Sequence, residues 1–230
     1  MIQDAQQLWS DPGIRAIVPR AHEITINPNF LYFIENAVQL SSPDYIPTEH
    51  DLLLCRSKTI GIAESTFGYK EQTFVIVDVG GQRSERRKWI HCFENVNFLL
   101  FFASLGEYDQ KLEEDPRVSR LSESMRLFGE IINSKWFAAI PVALILNKRD
   151  ILAEKIKARD LSMIFPEYDA GLNSYDEAVK FISTKFTQLA PPNRELYVHV
   201  TCATDSNCIR QVFDELAWHT LHRSFADAGL

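Results

Sequence analysis

The pattern of apolar and polar positions changes character near residue 58. Upstream, residues 1 to 52 carry helical spacing and no strand signal. Asn27 is a capping residue type, and Pro28 suits a first helical position. Phe30, Ile34, Ala37 and Val38 then recur on one face, so a helix is predicted that ends at Ser41-Ser42-Pro43. Thr48, three residues ahead of Asp51, forms a variant capping box for a short helix through Leu52-Leu53-Leu54. Downstream, strand-length apolar runs alternate with amphipathic stretches. The runs at 60–67 and 73–79 flank Gly68-Tyr69-Lys70-Glu71-Gln72 and predict an antiparallel hairpin. A helix at 84–93, a strand at 96–103 and a polar loop at 104–118 follow. Next comes a helix with Leu121, Met125, Phe128 and Ile131 or Ile132 inward, then a strand at 141–146. A helix at 174–189 turns Ala178, Phe181, Ile182 and Phe186 inward. After a strand at 197–201, the final helix, from about 207 to 225, carries Ile209, Val212, Phe213 and Leu216. Strands alternating with helices predict an α/β fold, a mostly parallel sheet with helices on both faces.

Candidate chemistry gathers where strands end. Phe74-Val75-Ile76-Val77-Asp78-Val79 reads as a strand buried on both faces, and it stops at Gly80-Gly81-Gln82-Arg83. Asp78 would leave the core there, and Gly81 would let a backbone N–H approach a ligand, the layout of a phosphate and metal site at the carboxyl end of a sheet. A polar turn accounts for those residues equally well. Asn147-Lys148-Arg149-Asp150 follows the 141–146 strand. The Asp150 carboxylate can accept both the ring N–H and the exocyclic amine of guanine, a match adenine cannot make. Lys148 can lie along the base plane, and Asn147 can tie neighbouring loops together. Thr201-Cys202-Ala203-Thr204 again stands at a strand end, where a plain turn capped by Thr204 or Asp205 is the simpler reading. Arg56-Ser57-Lys58-Thr59, taken alone, is an exposed basic loop. His91 and Cys92 read as packing residues, and Trp89, Trp136 and Trp218 as core or interface.

Composition narrows the classes. With 230 residues and 46% hydrophobic content the chain can bury one sizeable core. A net charge of −7 without a basic stripe argues against a nucleic-acid partner. Four cysteines with no metal-ligand spacing suit a reducing compartment. No apolar run approaches bilayer length. Met1-Ile2-Gln3-Asp4 is neither a signal peptide nor a myristoylation site, and the C-terminus is no prenylation box. A cytoplasmic chain that meets membrane only through partners is expected.

The run from Asp78 to Glu94 closely resembles the switch II segment of heterotrimeric G protein α subunits. Arg56-Ser57-Lys58-Thr59-Ile60-Gly61 resembles their switch I, and Asn147–Asp150 and Thr201–Thr204 their two guanine loops. Leu8-Trp9 and Asp44-Tyr45-Ile46-Pro47-Thr48 extend the resemblance over essentially the whole chain. It implies a Ras-like P-loop NTPase sheet lacking its first strand, with residues 1–52 a remnant of the all-helical insertion and 53–230 an incomplete GTPase domain. It implies GTP hydrolysis to GDP with Mg²⁺, Arg56 and Gln82 being catalytic. Arg56 would neutralise charge on the transferring phosphoryl group, and Gln82 would orient the attacking water. Thr59 and Asp78 would hold the metal. Leu53, Leu54, Cys55, Arg56, Ser57, Lys58 and Thr59 would contact nucleotide. So would Asp78, Val79, Gly80, Gly81, Gln82, Asn147, Lys148, Arg149, Asp150 and Ala203, with Asp11 a weaker candidate. The implied partners are a βγ dimer (at Arg83 to Trp89), a G protein-coupled receptor (at the last helix) and an effector, at the inner face of the plasma membrane. The family's phosphate loop, G-x-x-x-x-G-K-[ST], does not occur in the 230 residues. Weak nucleotide binding is therefore expected, and a non-enzymatic fragment that retains partner surfaces is the competing class. A missing first strand would leave the ladders at 74–79 and 96–103 unpaired.

Overall fold

The computed structural model describes residues 2–20, 29–55, 57–171 and 174–227, with backbone alone at 19 and 220–227. The chain divides into two compact units, Met1–Ser57 with Gln110–Arg117, and Lys58–Asp109 with Val118–Leu230.

The first unit is helical: α1 (Ile2–Trp9), α2 (Pro12–Arg15), α3 (Phe30–Glu35), α4 (Ala37–Leu40) and α5 (Glu49–Leu54). The Asp11 carboxylate caps α2 by accepting the Gly13 and Ile14 N–H groups at 2.7 and 3.3 Å. Asn27 and Pro28 lie outside the described residues. The single helix expected from Phe30 onward breaks in two at Asn36 and leaves Val38 exposed. Asn36 donates its side-chain amide to the Tyr32 carbonyl at 2.8 Å, a local bond that competes with continuous helix. The Thr48–Asp51 capping box is present: Thr48 Oγ1 accepts the Asp51 N–H at 3.2 Å, and Asp51 accepts the Thr48 N–H at 2.6 Å. Buried Asp51 also accepts the Thr48, Tyr32 and Tyr45 hydroxyls. Those bonds hold its carboxyl well below the usual carboxylate range, and its hydrogen bond pushes the Tyr32 phenol up to about 12.

The second unit opens with β1 (Ile62–Tyr69) and β2 (Gln72–Val79), an antiparallel pair with Ile62 opposite Val79 and Tyr69 opposite Gln72. The expected five-residue loop closes instead on two residues, Lys70 and Glu71, at φ +46° and +62°. Paired left-handed residues match the twist of a tight hairpin. The helix expected at 84–93 is a tighter 3₁₀ spiral, Arg86–Cys92. Then come β3 (Leu99–Ser104), α6 (Arg120–Ile132), β4 (Val142–Asn147), α7 (Arg149–Lys155), α8 (Tyr175–Thr187), β5 (Leu196–Val200) and α9 (Ser206–Asp227). β3, β4 and β5 form a parallel sheet with β4 central.

Alternate residues of β4 serve two layers. Val142, Leu144 and Leu146 pack with Phe128 and Ile132 of α6 and Ile182 and Phe186 of α8, whereas Ala143 and Ile145 pack with Val212 and Leu216 of α9. Helices thus cover both faces, as expected. The hairpin rests on α9 through Phe67 and Phe74, both edge-on to Phe213. It is nevertheless a separate two-stranded sheet. β2 is therefore half-buried rather than buried on both faces: Phe74 and Ile76 turn inward, while Val75 and Val77 are 55% and 40% exposed. A strand with one paired edge and one covered face cannot bury alternate residues on the other face.

Candidate functional site

At the end of β2 three segments of the second unit are stitched together. The Thr59 hydroxyl donates to the Asp78 carboxylate at 2.9 Å. The Gly80 N–H donates to the Gly61 carbonyl at 3.0 Å, and the Gly61 N–H donates to Glu85 Oε2 at 2.6 Å. Lys88 grips the same Glu85 oxygen at 2.6 Å, and these two bonds hold its carboxyl below its ordinary value. Trp89 donates its indole N–H to the Gly80 carbonyl at 2.9 Å. A Cβ on buried Gly80 would stand 2.8 Å from the Thr59 carbonyl and 2.9 Å from Glu85 Cγ, so glycine is required for this close approach. Gly81 and Gln82 are exposed, and a Cβ on Gly81 would meet nothing within 4 Å, while the Gly81 carbonyl accepts Arg86 Nε at 3.3 Å.

Thr59 and Asp78 place two hard oxygens together, a donor set that fits Mg²⁺. Among the described residues no group of three or more His, Cys, Asp or Glu could hold a metal. Mg²⁺ needs no such group, because it keeps waters and phosphate oxygens beside one or two protein ligands. Arg56 lies outside the described residues. Leu53, Leu54, Cys55 and Ser57 belong to the first unit, where the Leu54 carbonyl accepts the Asn29 amide at 2.6 Å and the Cys55 N–H closes α5 on the Asp51 carbonyl at 2.9 Å. Lys58 and Val79 flank the stitched segments in the second unit.

The other candidate residues meet at the carboxyl ends of β4 and β5. Asn147 Oδ1 accepts the Ala203 N–H at 2.9 Å and the Thr201 hydroxyl at 3.4 Å. The Arg149 N–H donates to the Thr201 carbonyl at 3.1 Å. Asn147 thus ties the two loops together, as its amide chemistry permits. Lys148 is left-handed (φ +63°, ψ +42°) and reverses the chain between β4 and α7. Asp150 stands exposed in the first turn of α7. Asp205 accepts the Asn207 N–H at 3.0 Å, which starts α9, and the Arg149 guanidinium lies 3.8 Å from its carboxylate.

One residue of the surroundings escapes a reading of the sequence. Glu123, buried in α6, is gripped from three sides. Arg83 reaches both of its oxygens at 3.1 and 2.9 Å, Arg86 donates at 2.7 Å, and Arg126 donates at 3.1 and 2.9 Å. The Arg83 and Arg126 bonds hold its carboxyl well below the usual range. The carboxylate fastens the segment after Gly81–Gln82 to the helical layer. Its only sequence signal is the spacing of Arg83 and Arg86 on one side and Glu123 and Arg126 on the other.

The chain is 47% identical over 231 residues to the guanine nucleotide-binding protein alpha-7 subunit of Caenorhabditis briggsae, covering 100% of this chain and 65% of that protein. It is 48% identical over 226 residues to the alpha-7 subunit of Caenorhabditis elegans, covering 98% and 64%. It therefore spans less than two thirds of the length of these relatives. A family model described as G-protein alpha subunit matches residues 1–219. The chain belongs to the G-protein alpha subunit family.

Proposed function

We propose that the protein is a guanine-nucleotide-dependent transducer that hydrolyses GTP and passes receptor signals on. The observation that supports this reading is the tether from Asn147 to Ala203 and Thr201, which joins the loops at the ends of β4 and β5. Asp150 reads the guanine edge, Lys148 lies along the base plane, and the Ala203 N–H would exchange Asn147 Oδ1 for the base oxygen. Mg²⁺, held by Thr59 and Asp78, would neutralise phosphate charge. The Gly81 N–H accompanies a terminal phosphate, Gln82 orients water, and Arg56 stabilises charge on the group transferred. In this reading residues 1–52 belong to the helical insertion and 53–230 to a Ras-like domain whose first strand would stand between β2 and β3. A βγ dimer, a receptor and an effector are the partners, at the inner face of the plasma membrane.

A second reading is a chain that meets those partners without holding nucleotide. Titration with a fluorescent GDP or GTP analogue and Mg²⁺ separates the two. Submicromolar binding that excess GTP reverses and ATP does not supports the transducer and excludes the second reading. Given binding, Gln82→Leu and Arg56→Cys should each slow single-turnover hydrolysis at least tenfold, about 1.4 kcal/mol of barrier, with affinity retained. Unchanged rates would remove those two assignments.

A further inference from the structure

Residues 105–109 are built more tightly than a connection after β3 requires. Leu105, Gly106, Tyr108 and Asp109 are buried. A Cβ on Gly106 would stand 2.6 Å from Ile151 Cγ2, so the main chain lies directly against α7. Lys155, at the end of α7, donates to the Gly106 carbonyl at 2.8 Å and to Asp109 at 2.7 Å. Just beyond, the Arg159 guanidinium reaches Asp109 at 3.4 Å, and the Arg159 carbonyl accepts the Tyr108 hydroxyl at 2.7 Å. The segment is a platform fastened along α7.

Glu107 alone of the five is only partly buried. Its Oε1 lies 2.7 Å from Lys148 Nζ, and its Oε2 lies 3.4 Å from Arg120 Nη1. Burial would raise the Glu107 carboxyl, but the Lys148 and Arg120 cations outweigh it and hold the carboxyl below its ordinary value. Lys148 is also a non-glycine residue in the left-handed region, a conformation that persists where its surroundings enforce it.

We propose that Glu107 is a positioning residue for the Asn147–Asp150 loop. It fixes the Lys148 side chain and main chain before a base arrives, so that a purine nucleotide meets a pre-formed plane. The proposal rests on the guanine-nucleotide reading above. Ordering the loop beforehand lowers the entropic cost of binding. The roles then divide: Asp150 decides which base is held, and Glu107 decides how tightly. Loss of Glu107 weakens guanine and hypoxanthine nucleotides by the same factor, because the bridge acts on the base plane rather than on the exocyclic amine.

The test uses the chain with Glu107→Gln, Lys148→Met and both together. In ligand-free protein each single variant should speed amide exchange at Arg149 and Ala203 about tenfold, with β4 unaffected and the double variant no faster. Affinity for fluorescent GDP should fall about tenfold in each single variant and no further in the double, with the GDP-to-IDP ratio unchanged. Unchanged exchange in both single variants, or additive losses of affinity, overturns the proposal. If Glu107→Gln fails to fold, Lys148→Met removes the same bridge from its more exposed end. If the unaltered chain takes up no GDP but exchange responds as described, the positioning role stands and the nucleotide reading falls. If it binds GDP and neither measurement responds, the positioning role falls alone.

Discussion

β4 and β2 are neighbours of the same helix with different surroundings. β4 has a strand on each edge and a helical layer on each face, and Val142 to Leu146 are wholly buried. β2 has β1 on one edge and α9 beneath it, while Val75 and Val77 face outward. Edges and faces, not the hydrophobicity of the run, decide what a strand contributes. β4 carries the Asn147–Asp150 loop on fully enclosed backbone. β2 delivers Asp78 and Gly80 on a ribbon steadied at its tip by the Tyr69 hydroxyl donated to Asp214 and by Lys70 against the same carboxylate at 2.6 Å.

The sharpest way to test that contrast is to cut into each strand. Leu144→Ala should cost ~2–5 kcal/mol, because a fully enclosed site keeps the cavity it is given. Urea unfolding should show the midpoint drop without a change in slope. A loss under 1 kcal/mol would mean that β4 is no more constrained than β2. Glu123→Gln should cost ~1–3 kcal/mol, less than a fully desolvated ion cluster would, since its arginines are partly exposed. The folded carboxyl is depressed below its unfolded value near ~4.3, so its contribution is present above that pH and fades as pH falls further. Melting curves from pH 7 to 3 should therefore draw together for parent and variant below about pH 4 without meeting by pH 3, because the folded carboxyl titrates lower still. Parallel curves would show that the arginine grip adds nothing. Val75→Thr should move stability by less than ~0.5 kcal/mol, as expected of a solvent-facing position. A Tm shift like that of Leu144→Ala would mean that β2 is covered in solution.

Where the fold was legible, the signal was local. The uninterrupted run through Val142–Leu146 announced a strand, and Thr48 with Asp51 announced a helix start. That Asn147 ties neighbouring loops followed from its amide at a strand end, although its partner Ala203 emerges only from the β4–β5 adjacency. The misses came from competition that spacing does not encode. Asn36 diverts its amide onto Tyr32 and breaks a helix whose apolar face looked continuous. Lys70 and Glu71 take a left-handed turn usually marked by Asn or Gly, so the hairpin closed tighter than its residues advertised. The paired edge of β2 is settled by which strands are present, and its apolar run said nothing of that. Glu123 and Glu107 are unmarked in the sequence because Arg83, Arg86 and Lys148 lie dozens of positions away, and only the folded chain brings them together.

The hairpin's register has a consequence in time. Tyr69 pairs with Gln72 across a two-residue turn, so β1 and β2 can zip from a contact almost adjacent in the chain, on a scale of ~1–10 μs. The parallel ladder must bring Leu99 to Val142 across α6 and Val142 to Leu196 across α7 and α8, and each such closure is slow. The ribbon that delivers Asp78 therefore has the fastest route to its own pairing, although it is the least enclosed part of the unit.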